Sequence, residues 1–256
     1  MTHISIDLNC DMGESFGRYS LGNDAAMLDF VTSANIACGL HAGDPPVMHR
    51  TVEMATARGV AIGAHPGYPD LQGFGRRALS MSAEELEATI LYQLGALAGF
   101  VAAAGDRLIH VKPHGALYNA ATRDPEVAGA IARAVTNFDP QLIVITLPGS
   151  ALAEAAGREG LSVATEGFAD RAYQDDGTLV PRSRPGAVIH DPAQAAARAV
   201  RMVTEGTVEA ITGKTIALKI DTLCVHGDTP NAPAIAQSLR RALEAAGVSI
   251  NRLATP

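Results

Sequence analysis

Short runs rich in apolar and β-branched residues recur along the chain, at His3 to Asn9, Ser33 to Cys38, Val60 to Ala64, Leu108 to Lys112, Gln141 to Thr146, Ser162 to Thr165 and Thr215 to Val225. Runs of this length and composition predict seven strands. Between them apolar residues repeat at helical spacing, as in Leu86, Ile90, Leu94, Leu97 and Val101, or Ile235, Leu239 and Leu243. Each set marks one apolar stripe on a helix. Helix starts are signalled by an acid or hydroxyl followed by proline, at Asp44-Pro45, Asp124-Pro125, Asp191-Pro192 and Thr229-Pro230. The side-chain oxygen satisfies a free N–H of the first turn, and proline fits a position that needs no donor. Ser82 and Glu85 have capping-box spacing ahead of the longest helical stretch.

Strand and helix in alternation imply right-handed crossovers and a parallel sheet. Seven such units favour an α/β fold closed as a single seven-stranded (β/α) barrel over an open, doubly wound sheet. The run Val248 to Asn251 reads equally as an eighth short strand or as a tail. No composition shift or linker divides the sequence, so residues 1–256 are expected to form one domain, and 256 residues is within the size of such barrels.

Composition narrows the partners. The formal charge is -7 and no Lys/Arg cluster occurs, which removes the electrostatic basis for binding nucleic acid. The N-terminal segment lacks the basic and apolar regions of a signal peptide, and no run approaches a membrane span in length, so a cytoplasmic protein that leaves membranes alone is expected. The three cysteines, Cys10, Cys38 and Cys224, are widely spaced without a CxxC pair. They read as reduced, buried small apolar residues.

The polar residues fall in a pattern. Strand one runs into Asp11 and Glu14, strand two into His41 and Asp44, and strand three into His65 and Asp70. Strand four carries His110, Lys112 and His114. Glu166, Asp170, Arg171 and Tyr173 follow strand six, and His226 and Asp228 follow strand seven. In a parallel barrel those positions converge on one rim, where active sites are built. Structural roles compete at some of them: Asp44 and Asp228 suit helix caps, His110 suits a satisfied core histidine, and His3, His49 and His190 suit surface or packing positions. His41, His65, His114 and His226 each stand beside glycine or proline after a strand, which favours function. Histidine and carboxylate from neighbouring strand ends would suit a divalent ion, although no local metal signature such as HExxH is present. The stretch Gly206 to Thr215 looks like a phosphate loop, but its first glycine is two residues too early and a strand-like run follows it, so it is not read as one.

These motifs carry a resemblance. Asp7 to Glu14, Asn35 to Asp44, Gly63 to Asp70, Val111 to Asn119, Phe168 to Tyr173 and His226 to Asp228 resemble blocks of the LamB/YcsF family, and they span almost the whole chain. The resemblance implies a seven-stranded barrel similar to that of polysaccharide deacetylases. It also implies ATP-dependent cleavage of 5-oxoproline to glutamate alongside two further subunits, with ATP as the co-substrate of the complex. Position and chemistry supply roles for the rim: Asp11 or Asp228 as a base for water, with Glu14, His41 and Asp170 beside them. His65, His114 and His226 then move protons or ligate, and Lys112 and Arg171 stabilise negative charge. Two other readings stay open, a stand-alone metal-dependent deacetylase or amidohydrolase and a non-catalytic lactam-binding or scaffolding subunit. Lys112→Ala is expected to impair turnover more than folding, and Asp11 and His226 are expected to line one pocket.

Overall fold

The alternating pattern of the first strand, Asp7-Leu8-Asn9-Cys10-Asp11-Met12, has the period of two that sends successive side chains to opposite faces. It forms β1 (Ser5–Met12), followed by a short α1 (Asp24–Met27) and then β2 (Ser33–Ala37), α2 (Pro45–Ala57), β3 (Ala61–His65), α3 (Ala83–Ala103) and β4 (Leu108–Val111). Two helices, α4 (Gly115–Arg123) and α5 (Pro125–Phe138), lead to β5 (Ile143–Thr146), α6 (Ala151–Arg158) and β6 (Ser162–Phe168). The chain continues through α7 (Pro192–Glu205), β7 (Thr207–Glu209), β8 (Thr215–Ala217), β9 (Thr222–Cys224), α8 (Ala232–Ala245) and β10 (Ser249–Ile250). The computed structural model describes residues 4–225 and 231–253.

β1 pairs in parallel with β2 from Asn9 to Met12 and with β9 from Asp7 to Asn9. With β2 to β6 following in sequence order and β6 paired to β9, the sheet closes into a seven-stranded parallel barrel. The run expected as one strand from Thr215 to Val225 is in fact two. Its first part, β8, pairs antiparallel with β7 outside the barrel. The chain then turns at Asp221, whose carboxylate accepts from the Thr165 N–H at 2.8 Å and hydroxyl at 2.7 Å, and enters the barrel as β9. The C-terminal run does form a short strand, β10, but it pairs only with Ser5 and Ile6 of β1, ahead of the residues that contact β9. It is therefore an appendage and not an eighth stave. The stretch resembling a phosphate loop begins where Gly206 caps α7 in the left-handed conformation and continues into the β7–β8 hairpin. No helix opens at Lys214, so the geometry that would hold a phosphate is missing there.

Helix boundaries follow the caps. Asp44 accepts from the Val47 N–H, Asp124 from the Glu126 and Val127 N–H groups, and Asp191 from the Ala193 N–H. The capping box of Ser82 and Glu85 opens α3. The Thr229-Pro230 signal lies outside the described residues. Both apolar stripes are buried as expected. α3, at 21 residues, is after all long and apolar enough to cross a membrane by length and composition. It nonetheless buries Gln93, whose amide exchanges two hydrogen bonds with the backbone of Gly67, so the helix serves to hold the loop after β3.

The outward side chains of β1, Ile6, Leu8, Cys10 and Met12, are buried against the helices, and the inward ones are polar. Asp7 accepts from the Ser33 and Thr222 hydroxyls at 2.6 and 2.5 Å. One layer up, Asn9 accepts from Asn35 at 2.8 Å, and Asn35 contacts His110 Nε2 at 2.7 Å. Most buried polar groups are partnered, and here β1 finds its partners on β2 and β9, while β2 reaches past β3 to His110 of β4. Gly63 makes room for this layer. A Cβ there would lie 2.1 Å from the His110 ring, so any side chain at 63 would displace it.

Candidate functional site

Above the Asn9 layer the polar ladder opens at the C-terminal rim into a cavity of about 700 Å³, lined by Asp11, Glu14, His65, Lys112, His114 and Arg171 among others. Lys112 stands at its floor, buried, with its ammonium 2.9 Å from Asp11 Oδ1 and 2.7 Å from Glu166 Oε1. Asn9 Oδ1 at 3.2 Å and Cys224 Sγ at 3.1 Å complete its surroundings. Burial alone would push the lysine pKa down, but the adjacent Asp11 and Glu166 carboxylates outweigh it and hold the ammonium well above its ordinary value. Glu166 is itself fully buried and takes a 3.0 Å hydrogen bond from the Tyr118 hydroxyl.

Beside this group three histidines from three strand ends meet. The Lys112 carbonyl can only accept, so His65 Nδ1, 2.7 Å away, carries the proton, and His65 Nε2 presents a lone pair. The Phe74 carbonyl likewise fixes the proton of His114 on Nε2, at 2.8 Å, and bares Nδ1. Phe74 adopts a left-handed φ of 56°, uncommon for a non-glycine residue, in the loop that Asp70 braces through its ion pair with Arg77. The two bared nitrogens face each other at 3.0 Å. Two lone pairs at that distance repel unless a cation lies with them. His41 stacks on His114 with ring centroids 3.8 Å apart, and neither of its ring nitrogens has a hydrogen-bond partner among the described residues. Glu14 Oε1 approaches His114 Nδ1 at 3.5 Å and His41 Nε2 at 3.9 Å.

Donor atoms of Glu14, His41, His65 and His114 thus lie within 4.8 Å of one another. Three imidazole nitrogens and one carboxylate oxygen suit zinc or a neighbouring divalent transition metal. The backbone carbonyls that set both tautomers are the outer partners such a site requires. Three carboxylates, Asp11, Glu14 and Glu166, stand with the one ammonium of Lys112, a donor balance that suits a divalent cation. Burial, then the neighbouring histidines, keep His41 well below its ordinary pKa, and burial, then His65, hold His114 down at about 3. Neutral imidazole is the ligating form.

His110 lies buried within the barrel, but it is only half the satisfied core histidine that one reading of the sequence expected: Nε2 meets Asn35 while Nδ1 has no hydrogen-bond partner among the described residues, and burial first, then Lys112, push its pKa down to about 3. Folded His110 is neutral, whereas below about pH 6.5 the unfolded chain binds a proton there. Stability therefore falls as pH drops from about 6.5 towards 3, by up to about 1.4 kcal/mol per pH unit. His110→Gln is expected to flatten the pH dependence of the unfolding free energy by about that slope, read from urea titrations between pH 6 and 4. Equal slopes would contradict this.

The remaining expectations divide. Asp44 serves as a cap, accepting from the Val47 N–H at 2.9 Å and the Gly17 N–H at 2.5 Å. Asp170 is buried next to Arg171, and its backbone carbonyl accepts from the Ile189 N–H at 2.8 Å. Tyr173 is buried with its hydroxyl on the Phe168 N–H. His49 pairs with Glu53 on an exposed face, and His190 is exposed. His226 and Asp228, and with them the shared pocket expected for Asp11 and His226, lie outside the described residues.

A family model described as LamB/YcsF matches residues 6–256. The chain belongs to the LamB/YcsF family. It is 58% identical over 245 residues to a protein of Symbiobacterium thermophilum named as a 5-oxoprolinase subunit, covering 96% of this chain and 94% of the relative. A Pyrococcus furiosus protein of the same name is 55% identical over 247 residues, with 96% and 97% covered. Among solved structures, a lactam utilization protein from Thermus thermophilus superposes with a TM-score of 0.94 at 52% identity, covering 98% of this chain and all of that one. A family 4 carbohydrate esterase from Streptomyces lividans, at 11% identity and a TM-score of 0.50 over 98% and 94% of the two chains, shares the barrel alone.

Proposed function

We propose that this chain is the barrel subunit of an ATP-dependent 5-oxoprolinase, acting in the cytoplasm with two partner subunits to open 5-oxo-L-proline to L-glutamate. The observation that carries this reading is the likeness, over nearly the whole length of both chains, to relatives named as 5-oxoprolinase subunits. The cavity adds support, since it is roomy enough for a small lactam and ends on a dense group of acid–base residues.

Amide resonance makes the lactam a poor electrophile, and transfer of a phosphoryl group from ATP to its oxygen would supply a better one. Partner subunits handle ATP, since this sequence carries no phosphate-loop motif. Water then adds to the ring carbonyl carbon, the C–N bond breaks as the ring nitrogen takes a proton, and a second water hydrolyses the resulting acyl phosphate to the glutamate carboxylate and free phosphate. Asp11 is placed to take the proton from water: one carboxylate oxygen is held by Lys112 and by Asn35 at 2.8 Å, while the other is 3.4 Å from His65 Nε2. Lys112 keeps Asp11 ionised and aimed. Because two carboxylates already neutralise it, its role is to position the base and not to meet the developing oxyanion. A divalent metal held by Glu14, His41, His65 and His114 would supply Lewis acidity towards a carbonyl or phosphoryl oxygen.

The same metal-ready cluster favours a second reading, a stand-alone amidohydrolase that needs no ATP. One assay separates the two. With 5-oxoproline, ATP and added divalent metal, the isolated chain is expected to form little or no glutamate, and addition of the partner subunits should establish ATP-dependent turnover. Robust turnover by the isolated chain overturns the subunit reading, and turnover without ATP would establish the second.

A further inference from the structure

The connection between β6 and α7 contributes Arg171 to the cavity lining, and its backbone pairs with Val188. Arg171 is only 7% exposed. One nitrogen, Nη2, donates to the Val180 carbonyl at 2.7 Å, while Nε is buried without a hydrogen-bond partner among the described residues. No carboxylate among those residues stands within ion-pair distance of the guanidinium. Arg182, exposed, lines the same cavity. Burial, then the charge of Arg182, bring the Arg171 pKa down to about 10, with Asp170 acting against them.

A buried guanidinium ordinarily has an acidic partner, because an unpaired buried charge and an unsatisfied donor are both costly. Lys112, the other buried cation of this cavity, has two such partners. Arg171 has none among the described residues and stands near a second arginine, an arrangement that an incoming anion would relieve. Guanidinium matches the planar geometry of a carboxylate, which it binds through two parallel N–H groups.

We propose that Arg171, with Arg182 at the mouth, docks the ring carboxylate of 5-oxoproline and so turns the lactam carbonyl towards Asp11 and the histidines. This rests on the lactam reading above and names the substrate feature that the site selects. Arg171 is then a substrate-binding residue, and a lactam without a carboxylate is a poor ligand because it leaves Nε unpaired.

The test compares 5-oxoproline with 2-pyrrolidinone, the same ring without its carboxylate, by calorimetric binding to the full chain. Arg171→Gln should weaken 5-oxoproline about tenfold to a hundredfold, the loss expected when a charge-assisted hydrogen bond is removed. Its affinity for 2-pyrrolidinone should stay unchanged. Arg171→Lys should recover part of the loss, and Arg182→Gln, at an exposed position that folding does not need, should weaken 5-oxoproline a few-fold and 2-pyrrolidinone not at all. Equal loss of both ligands in Arg171→Gln and Arg182→Gln would make the arginines merely structural, and no loss would leave them without this role. A variant that keeps 5-oxoproline but loses inorganic phosphate would assign the anion to a phosphoryl group; each of these outcomes overturns the proposal while the lactam reading stands. Binding of neither lactam by the unaltered chain overturns both together.

Discussion

Replacing Lys112 with alanine is expected to lower the unfolding free energy by about 3–5 kcal/mol and to abolish turnover, the cost of removing one partner from a buried ion pair. The sequence, which places this lysine at a strand end between Val111 and Pro113, suggests a loss of turnover that spares folding. Its surroundings change that expectation. Glu166 is fully buried with Lys112 at 2.7 Å, and Asp11 shares the same ammonium. Without it, two carboxylates remain close together with no cation between them, and the base loses the group that holds it ionised. The stability loss should be shared with Glu166: the double variant Lys112→Ala/Glu166→Gln is expected to regain part of it, because the second change removes one uncompensated charge, while turnover stays absent. Urea unfolding of the single and double variants checks this, and a Lys112→Ala protein as stable as the unaltered one would contradict it.

The second large effect is expected at the histidines. His65→Gln keeps a side-chain amide able to donate to the Lys112 carbonyl but removes the bared imidazole nitrogen that faces His114 at 3.0 Å. Loss of an outer partner of a metal ligand typically costs about 10- to 100-fold in metal affinity. Loss of a ligand itself should exceed that. Competition against a chromophoric chelator with Zn²⁺ should show tight binding of about one ion by the unaltered chain and a drop of more than about a hundredfold in His65→Gln. Equal affinities, or no binding by either, would remove the metal from the mechanism.

Much of the barrel was legible because its signals are local. The period of two in Asp7 to Met12, the stripe from Leu86 to Val101 and the caps at Asp44, Asp124 and Asp191 each report a nearby backbone geometry. The rim residues were legible for a related reason: strand ends of a parallel barrel share one face, so the sequence positions of Asp11, Glu14, His65, Lys112 and His114 already place them together. What remained hidden depends on distance along the chain. Asn9, Asn35 and His110 come from three strands and form one layer only on closure, so the polar interior reads in sequence as ordinary alternation. Glu166 was noticed after strand six, yet that strand runs on to Phe168 and carries it inward to Lys112. The orientation of lone pairs on His65 and His114 rests on two backbone carbonyls, Lys112 and Phe74, that no side-chain pattern announces. The split of the run from Thr215 to Val225 was missed because apolar alternation persists through the turn at Asp221. The start of α6 did have a signal, the Ser150 hydroxyl that accepts from the Ala153 N–H.

Whether glutamate forms on this rim is decided by the initial rate of its ATP-dependent formation in a mixture of the two partner subunits with either the unaltered chain or His65→Gln. Thermal unfolding and co-purification first establish that the variant folds and assembles. Turnover is expected with the unaltered chain, and a rate at least about a hundredfold lower with the variant. An assembled His65→Gln complex that opens 5-oxoproline at the unaltered rate would place the chemistry elsewhere.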